Sequence, residues 1–335
     1  MVTSNRTVPM VIASVVAVLL VGTAYILSGP NPFFTTRVDA KTSEELLKAY
    51  AAKDTDADGL PDWQEALYNT DPTNPESFKV GIKDGEAVAQ GLLTPQSLAS
   101  KLPKDNGSFP GTTPAAGSLT EEFSKRFMAQ YLSTRGTKPP TQEEILTFVN
   151  SAVAELSATS TDPDAFTSSN VRVTTGGKDA LTTYAAALEV AFANNTVAAD
   201  KDALTYFEEA VNKSDKETFK QLKSISTAYK NIANAVIKVP VPPEAAGTHL
   251  AIANSLMHMS RTVGNMASMQ EDPIRALVGI GAYDTHSKNM VAAFGQLSPI
   301  FKNAGVSFVE GQPGFFIART ADTSITAIQK VTTKP

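Results

Sequence analysis

The sequence predicts an all-α protein made of an N-terminal transmembrane helix, a short helix-loop-helix and a helical-bundle domain. Three observations lead to this prediction. Residues 8–27 carry no charged side chain, an acidic loop lies between two short helical patterns, and apolar residues recur at intervals of three and four through most of 178–304. Such intervals place apolar side chains on one face of a helix, and that face is buried when helices pack together.

Composition and charge limit the function classes to which the chain can belong. With 335 residues, of which 42% are hydrophobic, the chain is long enough for one or two domains with a sizeable core. The net charge of -5 and the pI near 5.4 argue against nucleic-acid binding, because such proteins concentrate Lys and Arg to displace counterions from phosphate. The absence of cysteine excludes disulfides, thiolate zinc sites and cysteine nucleophiles.

The uncharged run at residues 8–27 has the length that a helix needs to cross a bilayer, about 20 residues. We therefore predict a membrane anchor over 1–28, followed by a juxtamembrane segment over 29–41. The short leading segment favours a cytoplasmic N-terminus, which makes the chain a single-pass protein of the cell membrane with its C-terminal domain outside the cytoplasm. Two alternatives stay open, a cleaved signal peptide and a buried core helix.

The helix-loop-helix predicted over 42–76 surrounds the stretch DTDADGLPDWQE, which begins at Asp54. With Asp54 as position 1, the stretch matches the EF-hand calcium loop D-x-[DN]-x-[DN]-G-x5-E at every specified position. Alternate aspartates direct oxygens inward from a tight turn, Gly59 takes a bend that larger residues disfavour, and a glutamate at position 12 closes the cage. The predicted Ca²⁺ ligands are Asp54, Asp56, Asp58, Leu60 through its carbonyl, Asp62 directly or through a water, and Glu65.

The oxygen-only ligand set indicates Ca²⁺ rather than zinc or copper. Pro61 stands at position 8, where the residue of a paired EF-hand donates its N–H to a sister loop, and proline has no N–H to donate. The sequence therefore predicts a solitary site, and it contains no second complete loop. We expect such a loop to bind Ca²⁺ in the weak extracellular range of about 0.1 to 1 mM. The alternative is a solvated acidic turn without a bound ion.

The stretch continues through DWQEALYNTDPTNP and resembles the calcium-binding repeats of bacterial surface proteins of the thrombospondin type 3 kind, in which the acidic unit is followed by Thr-Asp-Pro. Thr70, Asp71 and Pro72 match that continuation. The resemblance covers residues 54–75 and a single unit, whereas the family has tandem arrays. It implies calcium-dependent rigidity outside the cell.

The rest of the chain is predicted to contain short helices and a flexible linker over 77–118, a helical domain over 119–310 and a loose polar tail over 311–335. The linker prediction rests on a segment rich in Pro, Gly, Ser and Thr. Two segments near the end, VSFVE and GFFIA, are interpreted as short strands. Two helices of the domain have regular apolar faces, comprising Phe219, Leu222, Ile225, Tyr229, Ile232 and Val236 on the first and Ile252, Leu256, Met259, Val263 and Met266 on the second.

The histidines are assigned ordinary roles. His249 and His258 are nine residues apart on one predicted helix, which places them on opposite faces, and His286 belongs to another segment. The sequence therefore predicts that the three histidines form no metal triad, and it favours an ordinary surface or core role for each, because it does not show the partners that a ligand or catalytic histidine would need.

These observations favour a non-enzymatic, membrane-anchored, extracytoplasmic calcium-binding protein of a bacterial envelope. In this hypothesis Ca²⁺ rigidifies a joint near the membrane, and the helical domain has a structural role or binds an envelope protein of unknown identity. Two alternatives stay open: a cell-wall hydrolase whose catalytic carboxylates converge only in the folded chain, and a component of a pilus or secretion assembly.

Overall fold

The structure of the chain is a computed structural model that describes residues 52–93 except 69, 117–123, 147, 151, and 162–332 except 196, 198, 200 and 214. The predicted membrane anchor, the juxtamembrane segment and most of the helix predicted before the acidic loop lie outside the described residues. In the part that is described, no helix combines the length and the apolar character that a bilayer crossing requires.

The described residues are mainly helical and contain no β-strand, which confirms the all-α prediction. The helices are α1 (Asp62–Tyr68), α2 (Asp84–Ala89), α3 (Lys178–Ala193), α4 (Ala203–Lys213), α5 (Lys216–Val236), α6 (Ala246–Met266), α7 (Pro273–Gly295), α8 (Leu297–Asn303) and α9 (Phe315–Thr332), with 3-10 turns at Ser168–Asn170 and Pro243–Ala245.

The chain forms two compact units. The acidic-loop unit contains the described residues of 44–160 together with 268–278. The bundle unit contains the described residues of 162–267 together with 279–332. Helix α7 therefore has its first residues in the acidic-loop unit and the others in the bundle unit.

The acidic-loop unit has a small apolar core of its own. Leu60 of the loop and Tyr68 at the end of α1 are each 2% exposed, and they lie in one cluster with Ala87 and Leu93. Phe78, Ile82 and Val88 pack against this cluster. The core joins the loop and α1 to α2, so the packed unit extends to Leu93, past residue 76, where the sequence interpretation placed a boundary.

The bundle unit is organised around the antiparallel pair α5 and α6, which the short segment 237–245 connects. Ser226 of α5 donates its hydroxyl to the carbonyl of Ser260 on α6, and Ser260 donates its own to the carbonyl of Ser226, both at 2.8 Å. The apolar faces predicted for these two helices are buried at every residue named above. Their burial confirms that both helices contribute to the core.

The chain after residue 310 differs from the sequence prediction. Residues 315–332 form α9, which packs against α3 and α8, so the predicted loose tail and the strand at 314–318 are wrong. The other predicted strand, 306–310, is not paired either.

The start and the face of α9 explain why it forms. The Glu189 carboxylate of α3 accepts hydrogen bonds from the N–H groups of Gly314 (2.7 Å) and Phe316 (3.4 Å), which occupies donors that a helix leaves unpaired at its first turn. Ile317 and Ala321 are fully buried. The buried face was difficult to recognise in the sequence because Thr320, Ala321 and Ser324 occupy much of it in place of large apolar residues.

Candidate metal centre

The acidic loop is a turn built by its own aspartate side chains. Asp54 Oδ2 accepts a hydrogen bond from the N–H of Gly59 at 2.9 Å, and Asp56 Oδ1 accepts from the N–H of Asp58 at 3.2 Å. Asp58 Oδ1 accepts from the N–H of Leu60 at 2.7 Å. The φ of Gly59 is +95°, a conformation that glycine adopts without steric cost. Each of these aspartates uses one oxygen to shape the backbone of the turn, and the second oxygens of Asp54 and Asp56 have no hydrogen-bond partner.

Two groups of carboxylates meet at Asp58. Oxygens of Asp54, Asp56 and Asp58 lie within 4.8 Å of one another, and so do oxygens of Asp58, Glu65 and Asp84. Glu65 and Asp84 are completely buried, and Asp58 is 7% exposed. The structure thus brings together four of the predicted side-chain ligands and one acid from outside the twelve-residue pattern. We call these five residues the acidic cluster.

Asp84 is the residue that the sequence analysis missed. It begins α2, and its carboxylate accepts hydrogen bonds from the N–H and hydroxyl of Ser77 (3.0 and 2.5 Å) and from the N–H of Phe78 (2.8 Å). The next residue, Gly85, donates its N–H to Asp58 Oδ2 at 3.0 Å, and a Cβ on Gly85 would lie 2.7 Å from the carbonyl oxygen of Asp58. Glycine at 85 therefore permits the close approach of α2 to the loop, but no local pattern links Asp84 to residues 54–65.

The predicted ligand Asp62 lies outside both carboxylate groups. Its two oxygens accept hydrogen bonds from the N–H and the hydroxyl of Thr55, each at 2.7 Å, and the second oxygen also pairs with Lys53 Nζ at 3.0 Å. The N–H of Asp62 donates to the carbonyl of Lys53 at 2.8 Å. Asp62 therefore closes the loop by joining its last turn to its first residues.

Thr70 and Asp71 of the Thr-Asp-Pro continuation are hydrogen-bonded to Glu65 and, through Ser77, to Asp84. Thr70 donates its hydroxyl to Glu65 Oε1 at 3.3 Å and its N–H to the Glu65 carbonyl at 3.0 Å. Asp71 donates its N–H to the hydroxyl oxygen of Ser77 at 3.0 Å, and Ser77 in turn donates to Asp84. These contacts give a physical role to the residues that carry the resemblance to thrombospondin type 3 repeats, because they orient the two buried acids.

Three carboxylate oxygens of the acidic cluster are buried without a hydrogen-bond partner: Asp54 Oδ1, Asp56 Oδ2 and Glu65 Oε2. Burial of an ionised oxygen without a partner is costly. Burial, followed by the charges of Asp56, Asp58 and Asp62, raises the pKa of Glu65 to about 8. Burial and then the charge of Asp58 also raise the pKa of Asp56. A cation among these oxygens would satisfy them and favour the ionised carboxylates.

The chemistry of the donors fits Ca²⁺. The acidic cluster offers oxygen atoms only, from five carboxylates in two groups that share Asp58. Ca²⁺ takes about six to eight oxygen ligands in flexible geometry, which suits a group of this size. Softer ions such as zinc and copper prefer imidazole or thiolate donors, which the acidic cluster lacks.

His249 is completely buried beside Tyr184, with ring centroids 5.7 Å apart. The other two histidines have partners that the sequence did not show. The rings of His258 and His286 are 5.1 Å apart, and His258 contacts Asp162. No local pattern indicates these contacts, because α6, α7 and the segment before α3 meet only in the folded chain.

No protein-family model, curated protein or solved structure matches the chain.

Proposed function

We propose that the chain is a membrane-anchored, extracytoplasmic protein of a bacterial envelope that binds one Ca²⁺ in its acidic loop. The observation that carries the calcium proposal is the set of three buried carboxylate oxygens without hydrogen-bond partners, in a loop with the complete twelve-residue ligand pattern. The uncharged run at 8–27 supports the anchor. The helical bundle then has a structural role or binds another envelope protein.

In this proposal Asp54, Asp56, Asp58 and Glu65 bind the ion with their side chains, and Leu60 contributes its carbonyl. Asp84 adds a fifth carboxylate beside Asp58 and Glu65. Asp62 is assigned to loop closure through Thr55 instead of direct ligation. The bound ion supplies the positive charge that five converging carboxylates need.

The consequence of calcium binding is a stiffer chain between the anchor and the bundle. Because Asp58 and Glu65 come from the loop and Asp84 from α2, an ion shared by them fastens the loop to α2. The same two elements meet in the small core that contains Leu60 and Ala87. Metal binding and ordering of this unit are therefore coupled. An affinity of about 0.1 to 1 mM would keep the site filled where extracellular calcium is abundant.

The raised pKa of Glu65 also bears on the hydrolase alternative, since a glycosidase needs a carboxylic acid with a raised pKa. The pKa of Glu65 is raised first by burial and then by the charges of Asp56, Asp58 and Asp62, which all belong to the calcium pattern. A buried acid that several aspartates surround is better explained as a cation ligand than as a proton donor to a sugar.

Isothermal titration of the full-length chain with CaCl2 in detergent tests the calcium proposal. We expect one saturable site, weakened at least about tenfold by Glu65→Gln, because the amide removes the charge of a buried ligand. Glu86→Gln is the matched control, since Glu86 lies on α2, is exposed and belongs to neither carboxylate group. Wild-type protein without saturable heat at millimolar calcium, or equal heats for wild type and Glu65→Gln, would overturn the proposal.

A further inference from the structure

A second convergence of metal-binding side chains lies in the bundle unit, formed by Asp162, His258 of α6 and His286 of α7. One donor atom from each residue lies within 4.8 Å of the other two. The side chains are 23%, 17% and 19% exposed, respectively, so they are shielded but reachable from solvent. Partial shielding of this kind suits an ion that enters from solution.

The donor atoms face one another across a short gap. Asp162 Oδ2 lies 2.5 Å from His258 Nδ1 and 3.8 Å from His286 Nε2. The two imidazole rings are tilted by 35°. Donor atoms around a tetrahedral zinc ion are about 3.3 Å apart, given metal–ligand distances near 2.0 to 2.1 Å. Small side-chain movements would therefore place all three donors around one ion.

Both histidines have their remaining ring nitrogen fixed by a neighbour. His286 Nδ1 lies 2.7 Å from the hydroxyl of Thr262, and His258 Nε2 lies 2.9 Å from Asp164 Oδ1. Metal-binding histidines characteristically donate the other ring N–H to a carboxylate, carbonyl or hydroxyl, because that bond sets the tautomer and the ring orientation. These two contacts leave His258 Nδ1 and His286 Nε2 as the nitrogens that face Asp162.

Asp162 is held in a comparable way. Its second oxygen, Oδ1, accepts a hydrogen bond from Arg261 Nη1, and the same nitrogen donates to the carbonyl of Pro163 at 2.7 Å. A ligating carboxylate is usually fixed by such an outer contact.

Close helix packing positions the two histidines. A Cβ on Gly279 of α7 would lie 2.8 Å from the carbonyl oxygen of Thr262 on α6, so only glycine allows this approach. His286 follows Gly279 by two helical turns and therefore lies on the same face of α7. Asn254 of α6 fixes the segment that carries Asp162, because it exchanges hydrogen bonds of 2.9 and 3.0 Å with the backbone of Phe166.

We propose that Asp162, His258 and His286 bind a divalent first-row transition metal ion of the Zn²⁺ type. Two imidazoles and one carboxylate are a donor set that such ions accept, and three protein ligands leave a position for water. The ion fastens the segment before α3 to α6 and α7. On binding, the ion takes the place of the hydrogen bond between His258 Nδ1 and Asp162 Oδ2.

The test is a ZnCl2 titration of the full-length chain without a polyhistidine tag, in detergent, after removal of metals with a chelator. Millimolar CaCl2 is present throughout so that the acidic cluster does not take up zinc. We expect one equivalent of Zn²⁺ to bind saturably. Co²⁺ in place of Zn²⁺ should give visible absorption bands typical of a four-coordinate site, with three protein ligands and one water.

His286→Gln and Asp162→Asn should each weaken Zn²⁺ binding more than about tenfold, since changes in outer contacts alone cost about 10 to 100-fold. Asp179→Asn, at an exposed aspartate of α3, is the matched control. Glu65→Gln should also bind Zn²⁺ like wild type. Circular dichroism verifies that each variant is folded.

Three results would overturn this proposal: wild-type protein that binds no Zn²⁺ saturably, binding that survives both substitutions in folded protein, or binding lost in Glu65→Gln. If one of the two site variants fails to fold, the proposal is tested with the other variant and with the Co²⁺ spectrum of the wild-type protein.

Discussion

The acidic residues of the loop have distinct surroundings, and these surroundings separate ligands from residues that only shape the turn. Glu65 is completely buried with one oxygen that has no hydrogen-bond partner, which is the environment of a cation ligand. Asp62 lies outside both carboxylate groups, and its oxygens pair with Thr55 and Lys53. The twelve-residue pattern does not distinguish these two positions, whereas the structure shows that the two carboxylates have different surroundings.

The pKa of Glu65 predicts that calcium affinity rises with pH. In the calcium-free protein this carboxyl keeps its proton up to about pH 8, well above the ordinary value of 4.5. Ca²⁺ must displace that proton, so affinity should increase as pH rises from about 4.5 to about 8. Titrations at several pH values measure the effect, and an affinity that does not change across this window would contradict the prediction.

Calcium affinity should rise with pH, but the folding stability of the calcium-free protein should fall. A group whose pKa is raised by folding stabilises the folded state below its unfolded pKa, and this contribution is lost as pH rises through the folded pKa. The stability of calcium-free protein should therefore fall between pH 4.5 and about 8. Urea unfolding at several pH values, followed by circular dichroism, measures this stability. Glu65→Gln is the control, because an amide does not titrate and should lack this decline.

At the scale of elements, two helices depend on polar anchors that join residues distant in sequence. Asp84 and Gly85 connect the start of α2 to the loop through Asp58. The Glu189 carboxylate of α3 accepts hydrogen bonds from N–H groups at the start of α9. In both cases a buried or half-buried carboxylate joins a helix start to a neighbouring element, so the helix forms where its own apolar pattern is weak.

The packing of α9 predicts that Ile317→Ala destabilises the bundle unit by about 2 to 5 kcal/mol, because the substitution leaves a cavity at a fully buried side chain. Arg319→Ala, at an exposed position of the same helix, should change stability by no more than about 0.5 kcal/mol. Urea unfolding followed by circular dichroism measures both. Equal stabilities for the two variants would mean that residues 315–332 do not pack in solution.

At the scale of the whole molecule, the two compact units have separate cores and separate candidate metal sites. Leu60, Tyr68 and Ala87 belong to the core next to the acidic cluster, whereas α5 and α6 supply the core of the bundle unit. Loss of calcium should therefore loosen the acidic-loop unit and leave the helices of the bundle folded.

The proposed anchor predicts the behaviour of the full chain in membranes. Because residues 8–27 are uncharged over about a bilayer span, the full-length protein should stay in the membrane pellet after alkaline carbonate extraction. Deletion of residues 1–28 should move the protein to the supernatant, while deletion of residues 1–7, which leaves the apolar run intact, should not. A full-length protein that carbonate extracts would exclude an integral anchor.

The apolar periodicity of α5 and α6 and the ligand spacing of the acidic loop were readable from the sequence because both are local. A helix face repeats every three to four residues, and the loop pattern fits within twelve, so short windows contain the whole signal. The all-α class followed from this local information, as did the grouping of Asp54, Asp56, Asp58 and Glu65. The helix α9 was missed since small polar residues occupy its buried face, which weakens the same periodic signal.

What only the tertiary structure decided is which distant side chains meet. Asp84 reaches the acidic cluster because Gly85 lets α2 approach the loop, and His258 meets His286 because Gly279 lets α7 approach α6. Such contacts depend on the packing of separate elements, and the packing depends on the volume of every side chain between them. The amino-acid sequence by itself determined the apolar helices α5 and α6 and one candidate ligand loop. Three-dimensional packing formed α9, brought a fifth acid to that loop and assembled the candidate histidine site.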